Sequence, residues 1–158
     1  MRVYQAFDTF LADFVWDLNN SSEDGWSLLV EGARDEKALR KLGFGGALLT
    51  VSKLGRSGVS ALGDEKKVII LTDLDREGAF LASKFVKKLG HEGVRTSLSE
   101  RRRLKAASRG VFLHVENLAR FAGSDASPSG PLTAGSMPAP SEAYREGPGK
   151  LRARPATP

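Results

Sequence analysis

Apolar and polar positions divide the chain into short segments of clear period. From residue 3 to residue 18, Val3, Phe7, Phe10, Leu11, Phe14, Val15 and Leu18 fall on one helical face, with Asp8, Asp13 and Asp17 opposite. This predicts an amphipathic first helix packed on a core, ended by Asn19-Asn20-Ser21-Ser22. Ser27-Leu28-Leu29-Val30 reads as a short buried strand closed by Glu31-Gly32, and a helical segment runs from Ala33 to Leu42. Gly43-Phe44-Gly45-Gly46 reads as a helix C-cap and turn into a strand at Ala47–Val51. It does not fit a dinucleotide-binding fingerprint, because it precedes a strand and position 48 is leucine.

The run Val68-Ile69-Ile70-Leu71 predicts a strand buried on both faces. It leads into Thr72-Asp73-Leu74-Asp75-Arg76-Glu77-Gly78, and Phe80, Leu81, Phe85, Val86 and Leu89 then recur at helical spacing over a helix at 77–90. A fourth strand is expected at Gly93–Leu98, followed by a basic helix from Ser99. Strands alternating with helices imply an α/β domain: a mainly parallel four-stranded sheet with helices on both faces, in three layers. Beyond Ala122 no apolar periodicity survives, and every proline of the chain lies there among Ser, Gly and Ala. Such a composition predicts a disordered tail over 122–158.

Two strand-acid-glycine-helix units set the candidate chemistry. In an extended segment the i, i+2 spacing places Asp73 and Asp75 on one side of the chain, and Glu31 ends a separate strand. In an open parallel sheet these acids meet at the edge where ligands bind. Clustered carboxylates suit a hard divalent cation, so Mg²⁺ is the expected cofactor, with Mn²⁺ as the alternative. Capping is the competing explanation for a lone acid after a strand, and Asp75 fits it as a helix N-cap. A second acid at i, i+2 and a third on another strand favour a functional site.

These residues resemble a known family. Val30-Glu31-Gly32 after one strand and Asp73-Leu74-Asp75-Arg76-Glu77-Gly78 after a later one are similar to the Toprim domain, which topoisomerases, bacterial-type primases, recombination proteins and several nucleases share. The Asp-x-Asp-Arg-Glu-Gly form matches the type IA topoisomerase version. The small size, with Arg109-Gly110-Val111 and Val115-Glu116-Asn117, looks more like stand-alone Toprim proteins related to the nuclease that matures 5S ribosomal RNA. The resemblance covers about residues 26–121, after an N-terminal helix and loop at 1–25. It implies Mg²⁺-dependent phosphodiester chemistry on nucleic acid, with an rRNA-processing endonuclease as the leading expectation and a non-catalytic nucleic-acid-binding module as the alternative. Glu31, Asp73 and Asp75 are then the catalytic and metal-binding residues, Glu31 in general acid/base work, and Glu77 is a further candidate metal ligand.

Composition narrows the choice. The chain has 158 residues and a net charge of +5, so one domain and a polyanionic partner both fit. The expected partner is nucleic acid, RNA ahead of DNA, with a ribosomal or ribonucleoprotein partner supplying specificity. Lys53 and Arg56, in an expected loop, and Arg76, Arg101, Arg102 and Arg103 are the candidate phosphate contacts. His114, between Leu113 and Val115, reads as a core-adjacent histidine, and His91 has no assigned role. The absence of cysteine excludes thiolate catalysis, disulfides and a primase-type zinc module, and it fits a cytoplasmic location. No apolar run is long enough for a bilayer, and the early aspartates rule out a signal peptide. Topoisomerase strand passage needs a tyrosine on a large separate domain, a context Tyr4 and Tyr144 lack. Haloacid dehalogenase phosphatases also carry Asp-x-Asp after a strand, but Arg76 departs from their motif and Glu31-Gly32 is foreign to it.

Overall fold

The computed structural model describes residues 2–122, with side chains from residue 5 onward. The reading of the proline-rich segment beyond 122, with Tyr144, lies outside these residues, and so does the side chain of Tyr4. In chain order the elements are α1 (Arg2–Glu23), β1 (Trp26–Val30), α2 (Ala33–Lys41), β2 (Leu48–Thr50), α3 (Val51–Ser57), β3 (Lys67–Ile70), α4 (Arg76–His91), β4 (Arg95–Ser97) and α5 (Ser99–Ser108). Short 3₁₀ turns at Gly58–Ala61 and Val115–Phe121 complete the order. Residues 1–121 form one compact unit that includes the N-terminal helix.

The four strands are all parallel in the order β2-β1-β3-β4. Leu28 pairs with Leu48 on one side and Ile69 on the other. Side chains alternate across the sheet as the pleat requires. Leu28, Val30, Leu48 and Ile69 meet α1, α2 and α5 through Leu11, Phe14, Leu18, Leu39 and Leu104. Leu29, Leu49, Val68 and Ile70 meet α3 and α4 through Leu54, Ala82, Phe85 and Leu89. The domain is therefore a three-layer α/β sandwich, as its alternating pattern implies. The first connection leads outward from β1 to β2, and the next returns across to β3. The reversal leaves a crevice between the carboxyl ends of β1 and β3.

Several boundaries differ from expectation for identifiable reasons. Helix α1 continues through Asn19-Asn20-Ser21-Ser22, because these polar side chains have tertiary partners. Asn19 donates to the Gly43 carbonyl (3.1 Å) and accepts from Gly45 N–H (2.8 Å), and Ser22 accepts from Ala47 N–H. The expected loop at 52–58 is the helix α3, started by Thr50, whose hydroxyl accepts from Lys53 N–H (3.2 Å), and held by buried Leu54. Strand β2 is shortened accordingly, and β4 spans only Arg95–Ser97. Phe80, expected on the packed face of α4, is 73% exposed. Among the described residues no helix is long and apolar enough to cross a membrane.

One glycine in α4 fixes the approach of that helix to the β3 end. A Cβ built on Gly78 would overlap the Asp73 carbonyl, while Gly78 O accepts from the Thr72 hydroxyl (2.7 Å). Gly78→Ala should therefore destabilise the domain by about 1–3 kcal/mol through overpacking. This is expected even though alanine is the better helix former. Urea unfolding monitored by circular dichroism measures it, and an unchanged midpoint would contradict the close approach.

Candidate functional site

At the carboxyl end of β3 the chain leaves the sheet and turns into α4. The Asp75 side chain caps that helix, its Oδ1 accepting from Gly78 N–H at 2.7 Å. Asp73 Oδ1 accepts from Val115 N–H at 2.7 Å. Leu74 N–H donates to the Leu113 carbonyl at 2.6 Å, so the 111–115 segment is tied to the turn twice. On the neighbouring strand end, Glu31 Oε1 accepts from Asp73 N–H at 2.9 Å. The expected meeting of Glu31, Asp73 and Asp75 at one crevice is thus present. Each carboxylate has one oxygen fixed by a main-chain amide, which leaves its second oxygen for other partners.

Two further side chains belong to this site. Contrary to the core-adjacent reading from its flanking Leu113 and Val115, His114 lies at the surface of the crevice. Val115 is buried but Leu113 is exposed, and the His114 side chain is 51% exposed. Its Nδ1 lies 3.0 Å from Asp73 Oδ2 and 4.0 Å from Asp75 Oδ2. Asp35, near the start of α2, is buried and accepts from Gly32 N–H through Oδ2 at 3.0 Å. This contact is the acid's half of a capping box, and its sequence signal is an acid three residues after Gly32. Nothing in the apolar pattern marks His114, because residues 110–114 belong to no regular element.

The titration behaviour follows from this crowding. Burial raises the Glu31 pKa, and the facing Asp73 and Asp75 charges add to the rise against the bond from Asp73 N–H. Burial pushes Asp35 up to about 6, with Asp73, Glu31 and Glu116 contributing and the Gly32 bond opposing. The hydrogen bond to Asp73 raises the His114 pKa, and the charges of Asp73, Asp75 and Glu116 act in the same direction.

The basic candidates divide into two groups. Arg101 is not a surface contact; it is 8% exposed and donates to the main-chain carbonyls of Thr72 (3.3 Å), Asp73 (2.6 Å) and Asp75 (3.4 Å). Burial lowers its pKa, while Asp75, Glu31 and Asp73 oppose that shift. Arg103 is engaged in packing α5 on α1, pairing with Asp17 at 3.0 Å and lying over the Phe10 and Phe14 rings. Lys53 and Arg56 on α3, Arg76 on the first turn of α4 and Arg102 on α5 are exposed. In the chain Lys53 and Arg56 follow β2, Arg76 follows β3 and Arg102 follows β4.

Metal-donor geometry brings together Asp73, Asp75 and His114, each offering one atom within 4.8 Å of the others. The donor set fits a divalent ion. Glu31 stands one hydrogen bond behind Asp73, and Glu77 is exposed on the first turn of α4, outside that group.

The fold and site define a three-layer α/β protein with an acidic crevice at the reversal of its parallel sheet. No family model matches the chain. A UPF0292 protein of Pyrococcus horikoshii is 39% identical over 93 residues, which cover 58% of this chain and 70% of that one. Another from Methanocaldococcus jannaschii is 30% identical over 124 residues, covering 75% and 93%. The chain belongs to the UPF0292 family. A solved structure of an Aquifex aeolicus protein matches with a TM-score of 0.57 at 29% identity, covering 66% of this chain and 94% of that one.

Two outcomes follow from the site. Arg101→Met leaves buried carbonyls without their donor and should cost about 2–3 kcal/mol, read as a shift in the denaturation midpoint. Arg101→Lys should restore little, since an ammonium lacks the planar fork that spans these carbonyls. The folded state also holds a proton on Asp35 more tightly than the unfolded chain, whose carboxyl titrates near the ordinary value of about 4. Stability from this group is therefore greatest below pH of about 4 and declines as pH rises through about 6. Asp35→Asn keeps an acceptor for Gly32 and removes the charge. In chelator-treated protein it should flatten that decline and raise the Tm at pH 8 more than at pH 4.

Proposed function

We propose that this protein performs metal-assisted phosphodiester cleavage on nucleic acid, as a Toprim-like endonuclease that processes structured RNA. One observation carries the reading. Asp73 and Asp75 each fix one carboxylate oxygen on a main-chain amide, beside Glu31, at the reversal of a parallel sheet. Such an arrangement preorganises negative ligands without leaving them free to rotate away.

The residues divide the work. The second oxygens of Asp73 and Asp75 would hold the ion, Mg²⁺ or Mn²⁺. When bound, such an ion polarises a phosphoryl oxygen and lowers the pKa of a water. Glu31, with its proton affinity raised by burial and by the adjacent acids, takes a proton from the attacking water or returns one to the leaving oxygen. Lys53, Arg56, Arg76 and Arg102 bind backbone phosphates. Exposed Phe80 lies one turn after Arg76 on α4, a spacing that suits stacking of an unpaired base beside a phosphate contact. Unpaired bases are a feature of structured RNA. Few side chains here read base edges, so a ribosomal or ribonucleoprotein partner supplies the specificity, and the activity belongs in the cytoplasm.

Cleavage of labelled structured RNA and of single-stranded DNA in Mg²⁺ or Mn²⁺ tests the proposal. Wild type should cut RNA faster than DNA. Glu31→Gln and Asp73→Asn should each reduce cutting by at least about 100-fold, at the low end of what acid/base groups contribute. Binding without cutting, unchanged by either substitution, would replace the nuclease with a non-catalytic binding module.

A further inference from the structure

Carboxylates alone would make a hard, all-oxygen site, but an imidazole nitrogen shares their space. His114 Nδ1 lies 3.0 Å from Asp73 Oδ2 and 4.0 Å from Asp75 Oδ2. Two donors each about 2.1 Å from a common ion are about 3.0 Å apart at a right angle and about 4.2 Å apart when opposite. The observed separations fall within that interval, as expected for atoms that can share one coordination sphere.

The three donors are also held in place. Asp73 and Asp75 are anchored through Oδ1 by Val115 N–H and Gly78 N–H. The residues on either side of His114 are tied to the same turn, Leu113 through its carbonyl to Leu74 N–H and Val115 through its amide to Asp73. His114 is thus delivered to the acids by the fold and is not a surface side chain that has drifted onto them. Exposure of the imidazole leaves an entry path for an ion and keeps water available for the remaining coordination positions.

Mg²⁺ prefers oxygen donors, whereas imidazole suits the later first-row transition ions. We propose that Asp73, Asp75 and His114 form a mixed oxygen–nitrogen site for a first-row transition ion of the Co²⁺ or Zn²⁺ class, with His114 as a ligand. This deepens the metal-assisted reading above: it rests on that reading's assignment of Asp73 and Asp75 as ion ligands and puts an ion of this class in the place given there to Mg²⁺ or Mn²⁺. The nitrogen ligand sets which ion resides there, because its loss weakens a transition ion far more than it weakens Mg²⁺.

The test uses the full chain after chelator treatment, without nucleic acid. The chain contains only two histidines, His91 and His114, so ¹⁵N-histidine labelling gives a readable spectrum. Zn²⁺ should shift a ring-nitrogen resonance of His114, assigned by its absence in His114→Ala, and leave His91 unmoved. Calorimetric titration should show Co²⁺ affinity falling at least about tenfold in His114→Ala, while Mg²⁺ affinity changes less than about twofold. His91→Ala should match wild type throughout. A wild-type His114 resonance that Zn²⁺ does not move overturns the proposal whether or not His114→Ala folds, and so does equal Co²⁺ affinity in a folded His114→Ala. Cleavage and coordination fail separately. RNA cutting that depends on Asp73 with no His114 shift removes this site and keeps the nuclease. A His114 shift with no cutting in any ion keeps the site and removes the nuclease.

Discussion

Everything at the crevice depends on how the chain leaves β3. Where a strand stops, its last carbonyls lose their ladder partners, and buried carbonyls without donors are costly. Here one guanidinium from α5 supplies the donors, reaching Thr72, Asp73 and Asp75 carbonyls together. A buried cation is tolerated only when its donors are met and compensating charge is near. The carbonyls meet the first condition and the surrounding acids the second. Arg101 therefore both needs the acidic crevice and shapes it, since the turn it grips aims Asp73 and Asp75. Gly78 adds the complementary constraint from the other side, letting α4 approach so closely that its amide reaches Asp75.

That constraint explains how four carboxylates coexist in a small space. Glu31, Asp35, Asp73 and Asp75 each accept a main-chain N–H, so each charge is partly met by a peptide dipole, and Arg101 adds its charge near Glu31, Asp73 and Asp75. The balance is incomplete where burial is deepest. Burial pushes Asp35 up to about 6 and raises Glu31, and the neighbouring acids add to both shifts. A bound cation would relieve the repulsion among these acids, which links ion affinity to the protonation of the same crevice.

Much of this architecture was legible in the sequence because its signals are local and periodic. The two apolar strand cores, each ending in acid and glycine, gave β1, β3 and the positions of Glu31, Asp73 and Asp75. What escaped depends on contacts between distant residues. Asn19 and Ser22 read as a helix stop, yet their side chains bond to the Gly43–Ala47 turn and the helix continues. Arg101 and Arg102 are adjacent in one basic run, and nothing local separates the buried clamp from the exposed neighbour. One residue of rotation along α5, about 100°, does so. Phe80 fits the helical spacing of the apolar residues in α4 and is exposed all the same, because the packed face is set by the sheet and not by the helix alone. His114 had no periodic context at all, and its place follows from pairing of an irregular segment with the β3 turn.

The choice between capping and chemistry at Asp75 dissolves once the two oxygens are considered separately. A cap requires one acceptor directed at an amide of the first turn, and Oδ1 meets that need at Gly78. Oδ2 remains directed toward the space shared with Asp73 Oδ2 and His114 Nδ1. Capping even strengthens the case for a site, because it removes the rotational freedom that a free surface aspartate would lose on binding an ion. The same division holds for Asp73, whose Oδ1 is spent on Val115 N–H. A carboxylate with a structural role in one oxygen is therefore a better ligand through the other, and evidence for the first role does not count against the second.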